Sequence, residues 1–286
     1  MLRPCNLLQP GGPRLSKNLF QRLRIVFSLP FLFVFFPFSL FPAPVSAATV
    51  AAVIDGDTIM LTGGTRVRYV GVNTPEHGQP FYEEAKRYNE RLVLHKEVRL
   101  KVNKPERDAF GRVLAYVYAG DVLVNARLIA EGLGHLFVIS PFDHYEEWLR
   151  LQKDAQGQRK GMWRPGGAPG PLLITTVHAD AEGDDRSKPN GEYVRICNVS
   201  GGPVELKDFR IEDAAQHHYV FPEGALDPGY TALLLSGEGQ DTTGRGQLRF
   251  YWGDGPIWNN DKDTASLFDP SGKLIDSFHV QGDVSE

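Results

Sequence analysis

The chain has 286 residues, 42% hydrophobic and 23% charged, with a formal net charge of −4. That composition excludes wholesale disorder, and the length allows two domains. Two cysteines, Cys5 and Cys197, exclude a disulfide framework and a Cys-based zinc site.

Charge is divided unevenly along the chain. Residues 48–165 hold 17 Lys and Arg against 15 Asp and Glu, a net of +2, whereas residues 166–286 hold 9 against 20, a net of −11. A phosphate-binding surface on the first half is therefore a local patch, and the second half repels a polyanion unless a basic face is hidden within it.

Residues 1–47 contain five basic residues, no acids and an apolar run from Ile25 to Val45 that ends in the small-residue pattern Val45-Ser46-Ala47. Four prolines in the run disfavour a stable spanning helix, so the segment reads as an export signal cut near Ala47. An uncleaved anchor and a start codon placed too early are the other readings. Cys5 belongs to this leader, which leaves Cys197 alone as a buried strand thiol.

From Ala48 onward the pattern is mainly strand: Thr49–Ile54, Thr58–Leu61, Arg66–Val72 and Val98–Val102, with a hairpin turn at Gly63-Gly64. A helix interrupts them after Pro80, with Phe81, Ala85, Tyr88 and Leu92 at helical spacing. Arg112–Tyr118 pairs across Gly120-Asp121 with Val122–Val124. A second helix spans about Asn125 to Glu131 and stops at Gly132, and a third spans about Asp143 to Gln158. Five or so twisted strands with helices at the margins suit a small closed barrel.

The stretch Arg164-Pro165-Gly166-Gly167-Ala168-Pro169-Gly170-Pro171 has the composition of a linker. Beyond it come short strands with turn signals about every ten residues: Leu173–His178, Glu192–Asn198, Tyr219–Phe221, Tyr230–Leu235, Leu248–Trp252, Ala265–Phe268 and Leu274–His279. This pattern predicts an all-β sandwich.

Three segments of the first half carry chemistry. Asp55-Gly56-Asp57-Thr58 offers acids in a tight turn. Arg68-Tyr69-Val70-Gly71-Val72-Asn73-Thr74-Pro75-Glu76 ends a strand abruptly at proline, a rigid place to mount a carboxylate. Asp108-Ala109-Phe110-Gly111-Arg112 offers a second guanidinium. Oxygen ligands suit a hard divalent cation, and the planar fork of arginine suits two phosphate oxygens. Each segment has a plainer reading: a turn closed by Asp side chains, Arg68 paired with a cross-strand acid, and Arg112 paired with Glu106 or Asp108.

The order Asp-Gly-Asp-Thr, then Arg-(x)5-Thr-Pro-Glu, then Asp-x-Phe-Gly-Arg resembles the staphylococcal nuclease-like (thermonuclease) family from about Ala48 to Trp163. The resemblance implies an OB-fold barrel of the α+β class and a calcium-dependent nuclease cutting DNA or RNA to 3′-phosphate products. It also implies roles: Glu76 activates water, Arg68 and Arg112 contact the scissile phosphate, and Asp57, Asn73 and the Thr74 carbonyl hold calcium. Phe110 and Phe137 are the candidate substrate contacts. The family usually has Asp where this chain has Asn73, which implies weaker calcium binding, and Tyr where it has Phe110.

The residues Glu192-Tyr193-Val194-Arg195-Ile196-Cys197-Asn198, Leu226-Asp227-Pro228-Gly229 and Ile257-Trp258-Asn259-Asn260 resemble the lamin-tail domain, which implies an immunoglobulin-like sandwich over about 172–282. The expected organisation is leader 1–47, nuclease-like domain 48–164, linker 165–171 and sandwich 172–282. The acidic sandwich is expected to tether or position the enzyme through a partner of unknown identity. The competing reading is a catalytically weak or dead binding adaptor. Adaptors tend to lose the arginines and the glutamate, and Arg68, Glu76 and Arg112 are all present.

Overall fold

The computed structural model describes residues 46–165, 170–180, 186–253 and 255–281. The leader up to residue 45 and most of the expected linker lie outside them. No helix among the described residues is long and apolar enough to cross a membrane.

The first half contains β1 (Ser46–Val53), β2 (Thr58–Leu61), β3 (Arg66–Tyr69), β4 (Val72–Asn73), α1 (Tyr82–Val93), β5 (Glu97–Arg107), β6 (Val113–Ala119), β7 (Val122–Leu123), α2 (Val124–Ala130), β8 (His135–Leu136) and α3 (Tyr145–Gly157). Five strands run in the order β3-β2-β1-β5-β6, and β3 pairs back onto β6 in parallel, which closes a barrel. Val50, Ile59, Val67, Val98 and Val117 are fully buried in its core. Helix α1 lays Ala85, Asn89 and Val93 inward at i, i+4 spacing, and Glu83 and Glu84 in its first turn favour the positive end of the helix dipole.

The expected strand Arg66–Val72 is broken. At Gly71 the backbone has φ 74°, and a Cβ there would lie 2.7 Å from the Trp148 ring and 2.9 Å from Phe142. Only glycine admits both the left-handed turn and this contact. The turn redirects Val72 and Asn73 into pairing with Leu136 and His135 of β8, a strand that the sequence pattern did not show. The carbonyl of Val70 is taken up by Asn125 Nδ2 at 2.9 Å, so the break leaves that acceptor satisfied. β5 is longer than expected because its edge continues along the barrel to Arg107 opposite Val113.

The second half is a sandwich. β9 (Leu172–His178), β10 (Tyr193–Asn198), β15 (Thr231–Leu235) and β16 (Leu248–Tyr251) form one sheet, in the order β16-β15-β10-β9. β12 (Arg210–Glu212), β13 (His218–Val220), β17 (Lys262–Phe268) and β18 (Leu274–Gln281) form the other, in the order β13-β12-β17-β18, and β11 (Val204–Glu205) pairs with β14 (Ala225–Leu226). Ile196, Ile211, Phe221, Phe250 and Leu267 fill the core between the sheets.

Asp276 on β18 accepts a hydrogen bond from the Ile174 N–H of β9 at 2.7 Å, and burial pushes its carboxyl up to about 6. A folded-state pKa above the unfolded one penalises the native state as pH rises through that interval, and the penalty is complete above the folded value. Asp276→Asn keeps an acceptor oxygen and removes the charge. Urea melts should show it stabilised by up to about 3 kcal/mol above pH 7, with the gain vanishing near pH 4. An equal gain at both pH values would assign the effect to packing instead.

The sandwich packs directly on the barrel. Gln152 of α3 accepts from the Leu136 N–H at 2.7 Å and donates to the Val199 carbonyl at 3.1 Å, so one buried amide links the two modules. The Val138 N–H donates to the Gly229 carbonyl at 2.8 Å, and Tyr145 OH to the Pro228 carbonyl at 2.9 Å. Gly229 has no side chain because a Cβ would lie 2.7 Å from that of Leu136. Cys197 is buried at this contact, 3.9 Å from His135 Nδ1, and burial raises its thiol pKa well above the ordinary value. It is a packing residue.

Candidate active site

The three chemistry-bearing segments meet at one cleft of about 500 Å³ on the side of the barrel, lined among others by Asp57, Arg68, Asn73, Glu76, Phe110 and Arg112. Asp55-Gly56-Asp57 is the turn between β1 and β2. The Asp57 N–H donates to Asp55 Oδ1 at 2.9 Å, so the side-chain-closed turn is present as well as the acid. A Cβ on Gly56 would lie 2.5 Å from Thr74 Oγ1, and its absence lets the Thr74 segment reach Asp57. Asp57 Oδ2 then accepts from the Thr74 N–H at 2.7 Å and from Thr74 Oγ1 at 3.0 Å.

Arg68 is buried beneath this turn. Its Nε lies 3.1 Å from Asp57 Oδ1, Nη1 donates to the carbonyls of Tyr69 (2.9 Å) and Val72 (2.7 Å), and Nη2 donates to Asn73 Oδ1 at 2.7 Å. Most of its five donors are spent inside the protein. Burial raises the Asp57 carboxyl pKa, the Arg68 charge pulls it back, and Asp55 and Glu76 push it further up.

Arg112 is arranged differently. Asp108 Oδ2 accepts from its Nε at 2.7 Å, and Oδ1 accepts from the N–H groups of Phe110 and Arg112 at 3.0 and 2.9 Å. The guanidinium lies 5.3 Å from the Phe110 ring centroid, and its terminal nitrogens make no hydrogen bond to any described residue. Gly111 is required for its φ of 75° rather than for close approach, since a Cβ there would meet nothing. Phe110 is 67% exposed at the cleft edge, and Phe137 is half-buried in its wall.

Glu76 follows Pro75 and is fixed by a tight turn: its N–H donates to Gln79 Oε1 at 2.7 Å, and the Gln79 N–H donates to its carbonyl at 2.9 Å. Among the described residues no hydrogen bond or ion pair holds its carboxylate. Burial raises its pKa, opposed first by Arg68, with Asp55 raising it and Arg112 lowering it further. A half-buried carboxylate with unused lone pairs, between two guanidinium groups, can accept a proton from water. Gln79 and Asn89 were not apparent from the sequence. Asn89 accepts from Tyr69 OH at 2.8 Å and donates to the Asp55 carbonyl at 3.2 Å, bracing the acidic turn from α1.

The donors around Asp57, Asn73 and Thr74 are oxygens alone, set where Asp55 and Glu76 disfavour the charge of Asp57, and this fits a hard cation rather than zinc. Among the described residues no three His, Cys, Asp or Glu side chains converge closely enough to hold a metal by themselves. A cation here would also compete with Arg68 for the oxygens of Asp57 and Asn73.

The profile of the family "Staphylococcal nuclease homologue" matches residues 66–165, and that of the "Lamin Tail Domain" matches 165–282. The chain is 37% identical over 124 residues to a thermonuclease of Staphylococcus hyicus, covering 40% of this chain and 73% of that protein. It is 36% identical over 124 residues to a thermonuclease of Staphylococcus intermedius, covering 40% and 74%. It is 35% identical over 131 residues to the endonuclease YncB of Bacillus subtilis (strain 168), covering 42% and 62%. With the closed barrel and the acid–arginine cleft, these matches establish that the chain belongs to the staphylococcal nuclease homologues and is a nuclease that carries a lamin-tail domain behind its catalytic barrel.

Proposed function

We propose that this nuclease is calcium-dependent and cleaves single-stranded or frayed DNA or RNA, leaving 3′-phosphate ends. The observation that carries the reading is the convergence of Glu76, Arg68 and Arg112 on one cleft with Asp57 and Asn73, while Thr74 is bonded directly to Asp57. Glu76 is the base that orients and deprotonates the attacking water. Arg112, which lines the cleft and whose terminal nitrogens bond to no described residue, binds the phosphate as negative charge builds on it. Arg68 holds Asp57 and Asn73 in place and keeps one donor for the same phosphate. Asp57, Asn73 and the Thr74 carbonyl would hold calcium, which supplies positive charge beside the phosphate oxygens. Phe110 and Phe137 contact sugar or base. The basic, apolar leader supports export, and the net acidity of the second module supports a tethering or positioning role.

The test is cleavage of single-stranded DNA by the protein as calcium is titrated from zero, with Arg112→Ala alongside. The expected outcome is calcium-dependent cutting that this substitution lowers by about 10²–10³-fold. Cutting at full rate in chelator would remove calcium from the reading.

Asn73 carries a further prediction. Its amide oxygen accepts from Arg68 but brings no charge. Asn73→Asp is expected to lower the calcium midpoint by about tenfold, because affinity at oxygen sites follows ligand charge. An unchanged midpoint would take position 73 out of the metal site.

A further inference from the structure

The nuclease cleft has a second wall, and it belongs to the lamin-tail module. Strand β10 alternates. Val194 and Ile196 are fully buried in the sandwich core, while Tyr193, Arg195 and Cys197 point the other way. Cys197 is buried against the barrel at His135, and the next residues on that face, Arg195 and Tyr193, line the same cleft as Asp57, Glu76 and Arg112. Thr176, the cross-strand neighbour of Arg195 on β9, lines it too.

Arg195 is held firmly and left uncompensated. Its Nη1 donates to Thr231 Oγ1 at 3.1 Å, and its guanidinium lies 5.9 Å from the centroid of the Tyr193 ring. That ring is backed in turn by His178, stacked within 4° at 5.1 Å. Among the described residues no carboxylate lies within ion-pairing distance of Arg195, whereas Arg68 and Arg112 each have one. A neighbouring formal charge that acts on it is Arg249, which shares its row across the sheet through Leu233. Burial already disfavours the charged form of Arg195. A half-buried cation held by one hydroxyl, beside an aromatic ring and a second cation and with no carboxylate in ion-pairing distance, is costly unless an anion comes to it. The module carries a net charge of −11, yet this row presents two arginines to the barrel side.

We propose that Arg195, braced by Tyr193, binds a backbone phosphate of the single-stranded substrate on the wall opposite the nuclease centre, so that the strand runs between the two modules. The inference rests on the nuclease reading of the cleft. Its size falls in the range that encloses a small ligand, and it therefore suits one or two nucleotides of a single strand. Four of the five guanidinium donors remain after the Thr231 bond, enough for a two-oxygen grip on a phosphate. The lamin-tail module is then part of the substrate site as well as an appendage.

The test uses the full chain carrying Glu76→Gln, with a short fluorescent oligothymidylate titrated by anisotropy at several salt concentrations. Adding Arg195→Gln is expected to weaken binding about tenfold and to lower the slope of log K against log salt by about 0.7, the signature of one lost phosphate contact on a single strand. Arg195→Lys should keep the slope and recover part of the affinity. Unchanged affinity and slope in a folded Arg195→Gln protein would overturn the proposal, as would a Glu76→Gln chain that binds no oligonucleotide. If Arg195→Gln does not fold, Arg195→Lys carries the test. Several-fold weaker binding supports the phosphate grip, and parental affinity overturns it. If the chain with Glu76 intact does not cut while binding depends on Arg195, the nuclease mechanism falls and the phosphate-binding wall stands. If it cuts while binding is indifferent to Arg195, the mechanism stands and the wall falls.

Discussion

Glu76→Gln is expected to slow single-stranded DNA cleavage by about 10²–10⁴-fold, the range for loss of a general base. The substitution keeps the shape of the side chain and its place after Pro75, and the Gln79 turn holds it through the backbone. Because no described residue bonds to the Glu76 carboxylate, neutralising it breaks no contact, and burial already disfavours its charge. Thermal stability should therefore match that of the parent or rise slightly. Single-turnover rates on a labelled oligonucleotide, read beside melting curves, separate the two effects. A loss of less than about tenfold in a folded protein would show that something other than Glu76 activates the water.

Arg68→Ala is the second large effect, and it falls on stability. Arg68 and Asp57 are a buried pair at 3.1 Å, and the same guanidinium satisfies the carbonyls of Tyr69 and Val72 and the amide of Asn73. Removing it strands a buried carboxylate and three acceptors, which should cost about 3–5 kcal/mol. At this chain length that corresponds to a fall in melting temperature on the order of 10 °C. Arg112→Ala is the control. Its pair with Asp108 is partly solvated and worth about 1 kcal/mol or less, so its loss should be read in activity. The double variant Arg68→Ala/Asp57→Asn should recover part of the stability lost, because the stranded charge is gone. A melting temperature for Arg68→Ala close to that of Arg112→Ala would contradict the buried-network account.

Much of the barrel was legible because its signals are local. Gly63-Gly64 closes a hairpin, Thr58–Leu61 reads as a strand, and Ala85, Tyr88 and Leu92, at helical spacing, lie on a face that packs on the core. The acidic turn, Glu76 behind its proline and Arg112 behind Gly111 could likewise be found, since each is a short motif whose chemistry follows from residue type and order. The break at Gly71 could not. Its cause is the ring of Trp148, 77 residues further along, and alternation alone favoured a continuous strand. The division of labour between the arginines was equally hidden. Nothing in the residues beside them shows that one ends in a buried cage of acceptors while the terminal nitrogens of the other bond to no described residue.

The sequence by itself determined the order of the two modules, the residue types of the catalytic cleft and the charge contrast between the halves. Each is carried by composition or by a motif within a few residues. Only the tertiary structure decided that a face of the acidic module closes over that cleft. The reason is docking: Gln152 bridging Leu136 and Val199, and Gly229 pressed on Leu136, fix one sheet of the sandwich against the barrel and turn the outer face of β10 inward. Arg195 then lines the same cleft as Glu76 and Arg112, a convergence that no reading along the chain could supply.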